Sequence, residues 1–374
     1  MDILEIVESK KDELNKNFEH LHNNPEYAWE EFKTSEFIKD KLVAAGFEVT
    51  TNVNNTTGLI GTLKGKEAGV VYAVRADMDA LRFNINGEDK LVHACGHDAN
   101  MTMALMAALS IAEKGITKGT LKMVFQPAEE VLGGAESMIE SGLLADVDEM
   151  VGIHLRPIQE AKLGEATPAL THGASGFMTA NIKGLNAHGA RPHQGINAID
   201  AGAAVVNAIN AIKLNPSVPF SVKTTKFVAG GLGSNIIPDK AEMIFDLRAQ
   251  TNEGMDELLV KTRNAIIYGA KTVGAEAEVE HKGGVPGAAH DQGVIDRTRE
   301  AVIKVLGKSM DPIITPGGED FHYYSTKGNI KTAYIGLGAD LSPGLHNAEM
   351  EFNTDALLIG AKIIAAAVDL RLNS

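Results

Sequence analysis

The first part of the chain alternates helical and strand-like hydrophobic patterns. Residues 2–22 and 31–45 carry apolar side chains at spacings of three and four, which predicts two helices. Strand-like runs follow in FEVTTNV, GLIGTLKG and the nearly all-apolar VVYAVRAD. MTMALMAALSIAEKG then predicts a buried helix with Asp98 as its candidate N-cap. TLKMVFQ, GAESMIESGLL and EMVGIHL predict a strand, a helix and a buried strand. Apolar strands separated by helices indicate an α/β sheet covered on both faces.

The middle of the chain has a different order of elements. FMTANIKGLNA predicts a strand, INAIDAGAAVVNAINAIK a helix, and FSVKTTKFVAGG and AEMIFDLRAQ two further strands. A helix in MDELLVKTRNAIIYGAKTVG and a strand in AEAEVEHKG complete a βαββαβ, ferredoxin-like order. We therefore expect an inserted domain over residues 176–285. The segments 1–175 and 286–374 would together form the helix-covered, mixed-sheet domain.

Composition and charge exclude several kinds of partner. The 374 residues exceed a typical single domain, and the formal net charge of −14 argues against binding nucleic acid or an anionic membrane. No apolar run approaches the roughly 18 residues of a membrane span, and the N-terminus does not have the pattern of a signal peptide. The sequence has one cysteine, so it forms no intrachain disulfide, which suits a reducing compartment. We expect a cytoplasmic protein.

The most informative stretch is HACGHD, residues 93–98, between a strand-like run and a helix. Cys95 and His97 are two residues apart in a predicted loop, so both side chains could point at one ion. Thiolate and imidazole are common ligands of zinc and similar metals. The alternative is a buried structural cysteine beside a helix-capping Asp98.

Further polar side chains follow other strand-like runs. Glu129 and Glu130 come after TLKMVFQ, His154 ends EMVGIHL, and His346 follows KTAYIGLG. Site residues of α/β sheets lie at the carboxyl ends of strands. Alone, the glutamate pair could be a solvated turn and either histidine a structural residue. Together with Cys95 and His97 they exceed the ligands of one tetrahedral ion, so a two-metal site becomes plausible.

The ordered motifs of the chain resemble the M20 metallopeptidase family, in its amidohydrolase branch of aminoacylase-like enzymes, hippurate hydrolases and auxin-conjugate hydrolases. The resemblance extends over nearly the whole length. It is carried by LHNNPEYAWEEFKT, RADMDAL, HACGHD, QPAEE, GGAESMI, GIHLRP, NAHGARPH, SNIIPD, GGEDF and LHN.

This resemblance implies a catalytic domain in two segments and an inserted lid that forms a homodimer. It implies that Glu129 is the general base and that three lid residues contact the substrate. The alternatives for these three are a histidine at a strand end, an asparagine in a turn and an exposed arginine. It also gives the order of the two glutamates, which spacing does not. The implied metal ligands are Cys95, His97, Glu130, His154 and His346, and the implied substrate contacts are His188, Asn235 and Arg248.

The resemblance leads us to expect hydrolysis of the amide bond of small N-acyl amino acids, with Glu129 taking a proton from the attacking water. Two divalent ions per subunit are expected, Mn²⁺ or Zn²⁺, with Co²⁺ or Ni²⁺ also compatible. Asp79 could orient a metal ligand or support its own loop. Dipeptidase or carboxypeptidase activity and a non-catalytic metal-binding protein remain alternatives.

The chain departs from the family pattern at two positions. Asn100 stands where relatives usually have a second histidine, and Arg82 stands where they commonly have proline. Neither change removes an expected ligand. Substrate preference is the property that these two positions put in question.

Overall fold

The computed structural model describes residues 1–315 and 317–373. These form two compact units. The first unit comprises Met1–Thr171, Ala289–Ile314 and Asp320–Ser374, and the second comprises His172–Ala288 and Thr315–Glu319.

The helices and strands are numbered in chain order over the described residues. The helices are α1 (Ile3–Ser9), α2 (Lys11–His22), α3 (Phe32–Ala44), α4 (His97–Lys114), α5 (Gly134–Glu140), α6 (Ala198–Asn210), α7 (Asn252–Lys271), α8 (Gln292–Leu306), α9 (Tyr323–Thr326) and α10 (Asp355–Leu372). The strands are β1 (Glu48–Thr50), β2 (Leu59–Lys64), β3 (Glu67–Asp77), β4 (Leu81–Ile85), β5 (Glu88–Val92), β6 (Lys118–Gln126), β7 (Glu149–Pro157), β8 (Ala166–Thr167), β9 (Leu170–His172), β10 (Ala174–Lys183), β11 (Ala187–His188), β12 (Phe220–Ala229), β13 (Ile236–Ile237), β14 (Lys240–Ala249), β15 (Glu276–Val285), β16 (Ile313–Thr315) and β17 (Lys331–Leu341).

The first unit is built on a seven-stranded sheet in the order β1-β2-β6-β3-β7-β17-β8. Its centre, β6-β3-β7-β17, is parallel, whereas β1, β2 and β8 pair antiparallel at the edges. The predicted mixed α/β fold is confirmed. The central strands are buried along most of their length, and alternate apolar side chains of β3, β6, β7 and β17 share one hydrophobic core with α4 and α10.

The second unit contains an antiparallel sheet in the order β12-β14-β10-β15. Apolar side chains of β10 and β14 alternate with polar ones, and the apolar set packs with α6 and α7 in a separate core. In chain order these elements run β10-α6-β12-β14-α7-β15, the βαββαβ order that the hydrophobic pattern predicts.

Two local predictions differ from the structure. The single helix expected over residues 2–22 is divided into α1 and α2 at Lys10. The expected N-cap Asp98 lies inside the first turn of α4, because the N-cap is Gly96, two residues earlier, whose φ of 83° suits glycine. The Asp98 carboxylate instead contacts Nδ1 of His22 at 2.6 Å.

Among the described residues, no helix is both long and apolar enough to cross a membrane.

Candidate active site

Most of the predicted site residues lie at the carboxyl ends of the parallel strands of the first unit. Glu129 and Glu130 follow β6, His154 is in the last part of β7, and His346 follows β17. Carboxyl ends of parallel strands meet at one edge of a sheet, so residues distant in sequence converge there. Cys95 enters the same edge from the loop that joins β5 to α4.

Cys95, His97 and His154 form the first potential ligand set, with their ligand atoms within 4.8 Å of one another. Sγ of Cys95 is 3.5 Å from Nε2 of His154. Each imidazole is oriented by its other nitrogen: Nδ1 of His154 contacts the carbonyl of Leu155 at 2.8 Å, and Nδ1 of His97 contacts that of Asp79 at 2.9 Å. All three side chains are buried. The Nε2 atoms are thereby directed into the cluster, as metal-ligating histidines require.

Cys95, Glu130 and His346 form a second set that also lies within 4.8 Å. Nε2 of His346 is 3.4 Å from Oε1 of Glu130. His346 has a φ of 61°, and its backbone amide donates to the carbonyl of Ala94 at 2.7 Å, which ties the loop after β17 to the cysteine loop. Because Cys95 belongs to both sets, its sulfur lies where a thiolate could bridge two ions.

Glu129 lies beside these sets. Nε2 of His97 is 3.9 Å from Oε2 of Glu129 and 3.9 Å from Oε1 of Glu130, and the three groups form a further close cluster. The two glutamates therefore approach the same imidazole. Glu129 is 6% exposed, so a proton taken up by its carboxylate would be shielded from bulk water.

The donor set suits a divalent cation. Nε2 of His97 is buried and makes no hydrogen bond among the described residues. Burial lowers the pKa of His97, but the carboxylate of Asp77 and the other anionic groups around it outweigh burial and raise that pKa well above the usual value. The cluster thus attracts positive charge. Burial lowers the pKa of His154 to about 3, which keeps this imidazole neutral and able to bind a metal.

The thiol of Cys95 shows the same preference for a cation. Burial, followed by the negative charge of Glu130, raises the pKa of Cys95 well above its usual value. A thiolate at this position requires a compensating positive charge, which a bound metal ion supplies.

A layer of buried charges supports the candidate ligands. The Asp79 carboxylate accepts hydrogen bonds from the backbone amides of Glu129 at 3.1 Å and Glu130 at 3.0 Å. Sequence reasoning left the role of Asp79 open. In the structure it holds the turn that carries both glutamates.

Asp77 and Arg75 are further supporting residues that the sequence analysis missed. Both are buried in β3, where the Arg75 guanidinium pairs with Asp77 and, at 3.0 Å, with Asp320. Oδ2 of Asp77 is 3.8 Å from Nε2 of His97. The available signal was in the sequence, since VVYAVRAD places Arg75 and Asp77 in an apolar strand-like run, and buried charges are paired.

The two departures from the family pattern have different surroundings. Asn100 is fully buried in α4, and its side-chain amide donates to Oδ1 of Asp77 at 2.8 Å. It therefore touches the supporting layer. Arg82 is exposed at the start of the β4–β5 hairpin, with its guanidinium 4.8 Å from the ring centre of Tyr27.

The three expected substrate contacts lie in the second unit. His188, on β11, and Asn235, next to β13, are both exposed, and the carbonyl of Asn235 accepts from the amide of Gly189 at 2.7 Å. This pairing brings His188 and Asn235 together. Arg248 lies apart from them on β14, where its guanidinium pairs with Asp246 at 2.9 Å.

Comparison with known proteins identifies the family. Residues 73–370 match the model of peptidase family M20/M25/M40. The chain belongs to this family. The resemblance stated from the sequence motifs and the expectation of a hydrolase are both confirmed.

Two relatives and one solved structure are similar to the chain over nearly their full length. An N-acetylcysteine deacetylase of Bacillus subtilis (strain 168) is 28% identical, with 92% of this chain and 93% of that protein covered. Thermostable carboxypeptidase 2 of Saccharolobus solfataricus is 29% identical, with 91% of each chain covered. Among solved structures, the Bacillus subtilis YXEP protein, described as a dinuclear metal binding M20 peptidase, has a TM-score of 0.83 and 26% identity, covering 98% of this chain and 99% of that one.

Proposed function

We propose that this M20 protein is a metal-dependent amidohydrolase that cleaves the amide bond of N-acyl amino acids or similar small N-acylated substrates. The observation that carries the proposal is the position of Glu129, a buried carboxylate beside two potential ligand sets that share Cys95. A protein that only bound metal would not need a second carboxylate next to the ligand Glu130.

Two divalent ions are the proposed cofactors, Mn²⁺ or Zn²⁺, with Co²⁺ or Ni²⁺ also suited to these ligands. Cys95, His97 and His154 would hold one ion, and Cys95, Glu130 and His346 the other. When bound, the ions supply Lewis acidity that polarises the substrate carbonyl and lowers the pKa of water.

The proposed work of the chain's own groups begins at Glu129. Its carboxylate accepts a proton from the attacking water, and the protonated acid returns that proton to the nitrogen of the leaving amine. Asp79 keeps the glutamate turn in place through the amides of Glu129 and Glu130. Burial of Glu129 keeps the transferred proton from exchanging with bulk water during the reaction.

The second unit is proposed to act as a lid and as the surface of a homodimer. His188 would stabilise the developing oxyanion, Asn235 would contact the substrate, and Arg248 would pair with the carboxylate of the amino-acid half. Exposed apolar side chains favour an interface on this unit, since such surface is costly to leave in water. They are Leu185, Val228, Leu232 and Ile236.

A carboxypeptidase or dipeptidase activity is the second candidate, because it uses the same apparatus and differs in the amine that leaves. The similarity to an N-acetylcysteine deacetylase favours acylated amino acids, and the similarity to a carboxypeptidase favours short peptides.

A substrate panel tests these alternatives. The protein is loaded with Mn²⁺ or Zn²⁺ and assayed on N-acetyl and N-benzoyl amino acids, dipeptides and N-blocked dipeptides. The proposal expects the highest kcat/KM on the N-acyl amino acids. Higher values on peptides would favour the second candidate, and no hydrolysis of any amide with both metal sites filled would contradict both.

A further inference from the structure

Glu31 is a buried carboxylate with three hydrogen-bond donors around it. Its side chain is 0% exposed. Oε1 accepts from the backbone amide of Trp29 at 3.1 Å and from that of Ala128 at 2.9 Å. Oε2 accepts from the buried hydroxyl of Thr57. One carboxylate therefore joins three chain segments that are far apart in sequence.

The two amides bound by Oε1 belong to residues in a left-handed backbone conformation. Trp29 has a φ of 69° and Ala128 a φ of 54°. This region is disfavoured for residues with a Cβ, and it is an outlier for a side chain as bulky as tryptophan. Such residues are strained and persist only where the surrounding structure fixes them. The hydrogen bonds from the amides of Trp29 and Ala128 to Oε1 of Glu31 restrain both residues in this conformation.

Ala128 directly precedes the two glutamates of the candidate site. The amide of residue 128 is held by Glu31, and the next two amides are held by Asp79. Three consecutive backbone amides thus end on two buried carboxylates. Because the direction of a side chain follows its backbone, this arrangement sets where the Glu129 carboxylate points.

We infer that Glu31 is a positioning residue for the general base Glu129 and acts through the backbone amide of Ala128. The inference rests on the proposed function, which gives Glu129 its role. The critical atom is Oε1, because a side chain of the length of glutamate is needed to bring this acceptor to the amide of Ala128.

The charge of Glu31 is not required for this task. Burial raises the pKa of Glu31 to about 7. A neutral acid at this position can donate from Oε2 to the Thr57 oxygen while Oε1 keeps both amides. Glutamine reproduces that pattern, with its amide nitrogen facing Thr57. Aspartate keeps the charge but withdraws the acceptor by one methylene, and alanine removes it.

Trp29 provides a signal that does not depend on activity. It is the one tryptophan of the sequence, and its ring lies over Gly133, where an added Cβ would be 2.9 Å from Cζ2. Its amide shares Oε1 with Ala128. Loss of Oε1 should therefore release the backbone of Trp29 as well as that of Ala128. We expect the resulting change in tryptophan fluorescence both with and without bound metal.

The experiment compares Glu31→Gln, Glu31→Asp and Glu31→Ala in the metal-loaded, full-length protein. We expect Glu31→Ala to lower kcat by about 10- to 100-fold, as for misplacement of a catalytic group by about 1 Å. KM and bound metal should stay near the wild-type values. The emission of Trp29 should shift to longer wavelength, and its ring should become more accessible to the quencher acrylamide. Glu31→Gln should match the wild type in all five measurements, and Glu31→Asp should resemble Glu31→Ala.

Two outcomes would overturn the inference: wild-type kcat in Glu31→Ala, or a loss in Glu31→Gln as large as in Glu31→Ala. If Glu31→Ala does not fold, the contrast between Glu31→Gln and Glu31→Asp decides the matter. Glu129→Gln is measured in parallel. Full activity of that variant would contradict the proposed function itself, whereas an inactive Glu129→Gln beside a fully active Glu31→Ala would contradict the inference alone.

Discussion

Two adjacent carboxylates approach the same imidazole at the candidate site, yet we propose different tasks for them. Glu129→Gln keeps the size of the side chain and loses the base, so kcat should fall by roughly 10²–10⁴-fold with bound metal retained. Glu130→Gln replaces an anionic ligand by a neutral amide and should weaken metal binding, with activity partly restored by excess metal. Metal analysis beside steady-state kinetics measures both effects. The reverse pattern would exchange the two roles.

The single cysteine offers a second residue-scale prediction. A thiolate that ligates metal is withheld from electrophiles, so Cys95 should react slowly with a thiol reagent when metal is bound and faster after chelation. The rate of labelling is measured in both states, with metal content determined on the same samples. Equal rates in a sample known to contain metal would remove Cys95 from the ligand set.

The residues that could be predicted from the sequence share one property: they follow strand-like runs. Strand ends converge by a general rule of α/β sheets, so Cys95, Glu130, His154 and His346 could be grouped before their distances were known. Glu31 obeys no such rule. It sits in a helix-like pattern, and its bond to Ala128 spans 97 residues. Local periodicity does not encode a contact of that kind.

At the scale of elements, Glu31 joins the loop of Trp29 to the turn that carries the two glutamates, and its ionisation should make the stability of the fold depend on pH. The pKa of Glu31 is about 7 when folded and near 4.5 when unfolded. Between these values the folded state binds more protons, so the free energy of unfolding falls as pH rises. Above pH 7 the free energy of unfolding should be lower than below pH 4.5 by roughly 3 kcal/mol.

Glutamine has no proton to lose, so Glu31→Gln should be more stable than the wild type at pH 8 and similar to it near pH 4.5. Urea unfolding at the two pH values measures the difference. Glu300→Gln, at an exposed position of α8, serves as the control and should change little at either pH. A Glu31→Gln variant that is less stable than the wild type at pH 8 would contradict the prediction.

The paired charges of β3 give a second element-scale prediction. Arg75 is 1% exposed and joins β3 to the segment that carries Asp320. Arg75→Leu leaves Asp77 and Asp320 buried without this cation and should lower the free energy of unfolding by about 3–5 kcal/mol. Arg299→Leu breaks a more exposed pair with Asp311 and should cost less than about 1 kcal/mol. A similar decrease in the free energy of unfolding in the two variants would contradict the prediction that the buried ion pairs of Arg75 stabilise the fold more than an exposed pair.

The elements themselves followed from hydrophobic periodicity, because a helix or strand buries one face or both. The separation of α1 from α2 at Lys10 and the start of α4 at His97 did not follow, since a single residue decides each. The helix is capped at Gly96, two residues before Asp98. Helix ends depend on local backbone geometry that a repeating pattern over many residues does not resolve.

At the scale of the whole molecule, the proposed roles of the second unit can be separated by kinetics. If Arg248 binds the substrate carboxylate, Arg248→Ala should mainly raise KM for N-acyl amino acids, whereas His188→Ala should mainly lower kcat. Asp246→Asn is the matched control, because it removes the negative charge that pairs with Arg248 and leaves the guanidinium in place. An Arg248→Ala enzyme with the wild-type KM would exclude the carboxylate contact.

The β4–β5 hairpin suggests where this protein can change length without losing its chemistry. Its two ends are fastened, by a bridge between Tyr27 and Ala80 on one side and by the bond from His346 to Ala94 on the other. Its tip, at Asn86 and Gly87, is exposed. Insertions at exposed tips cost little, because loop-closure entropy grows slowly with length. The tip of this hairpin is therefore a suitable place to insert a peptide tag while the sheet stays unaltered.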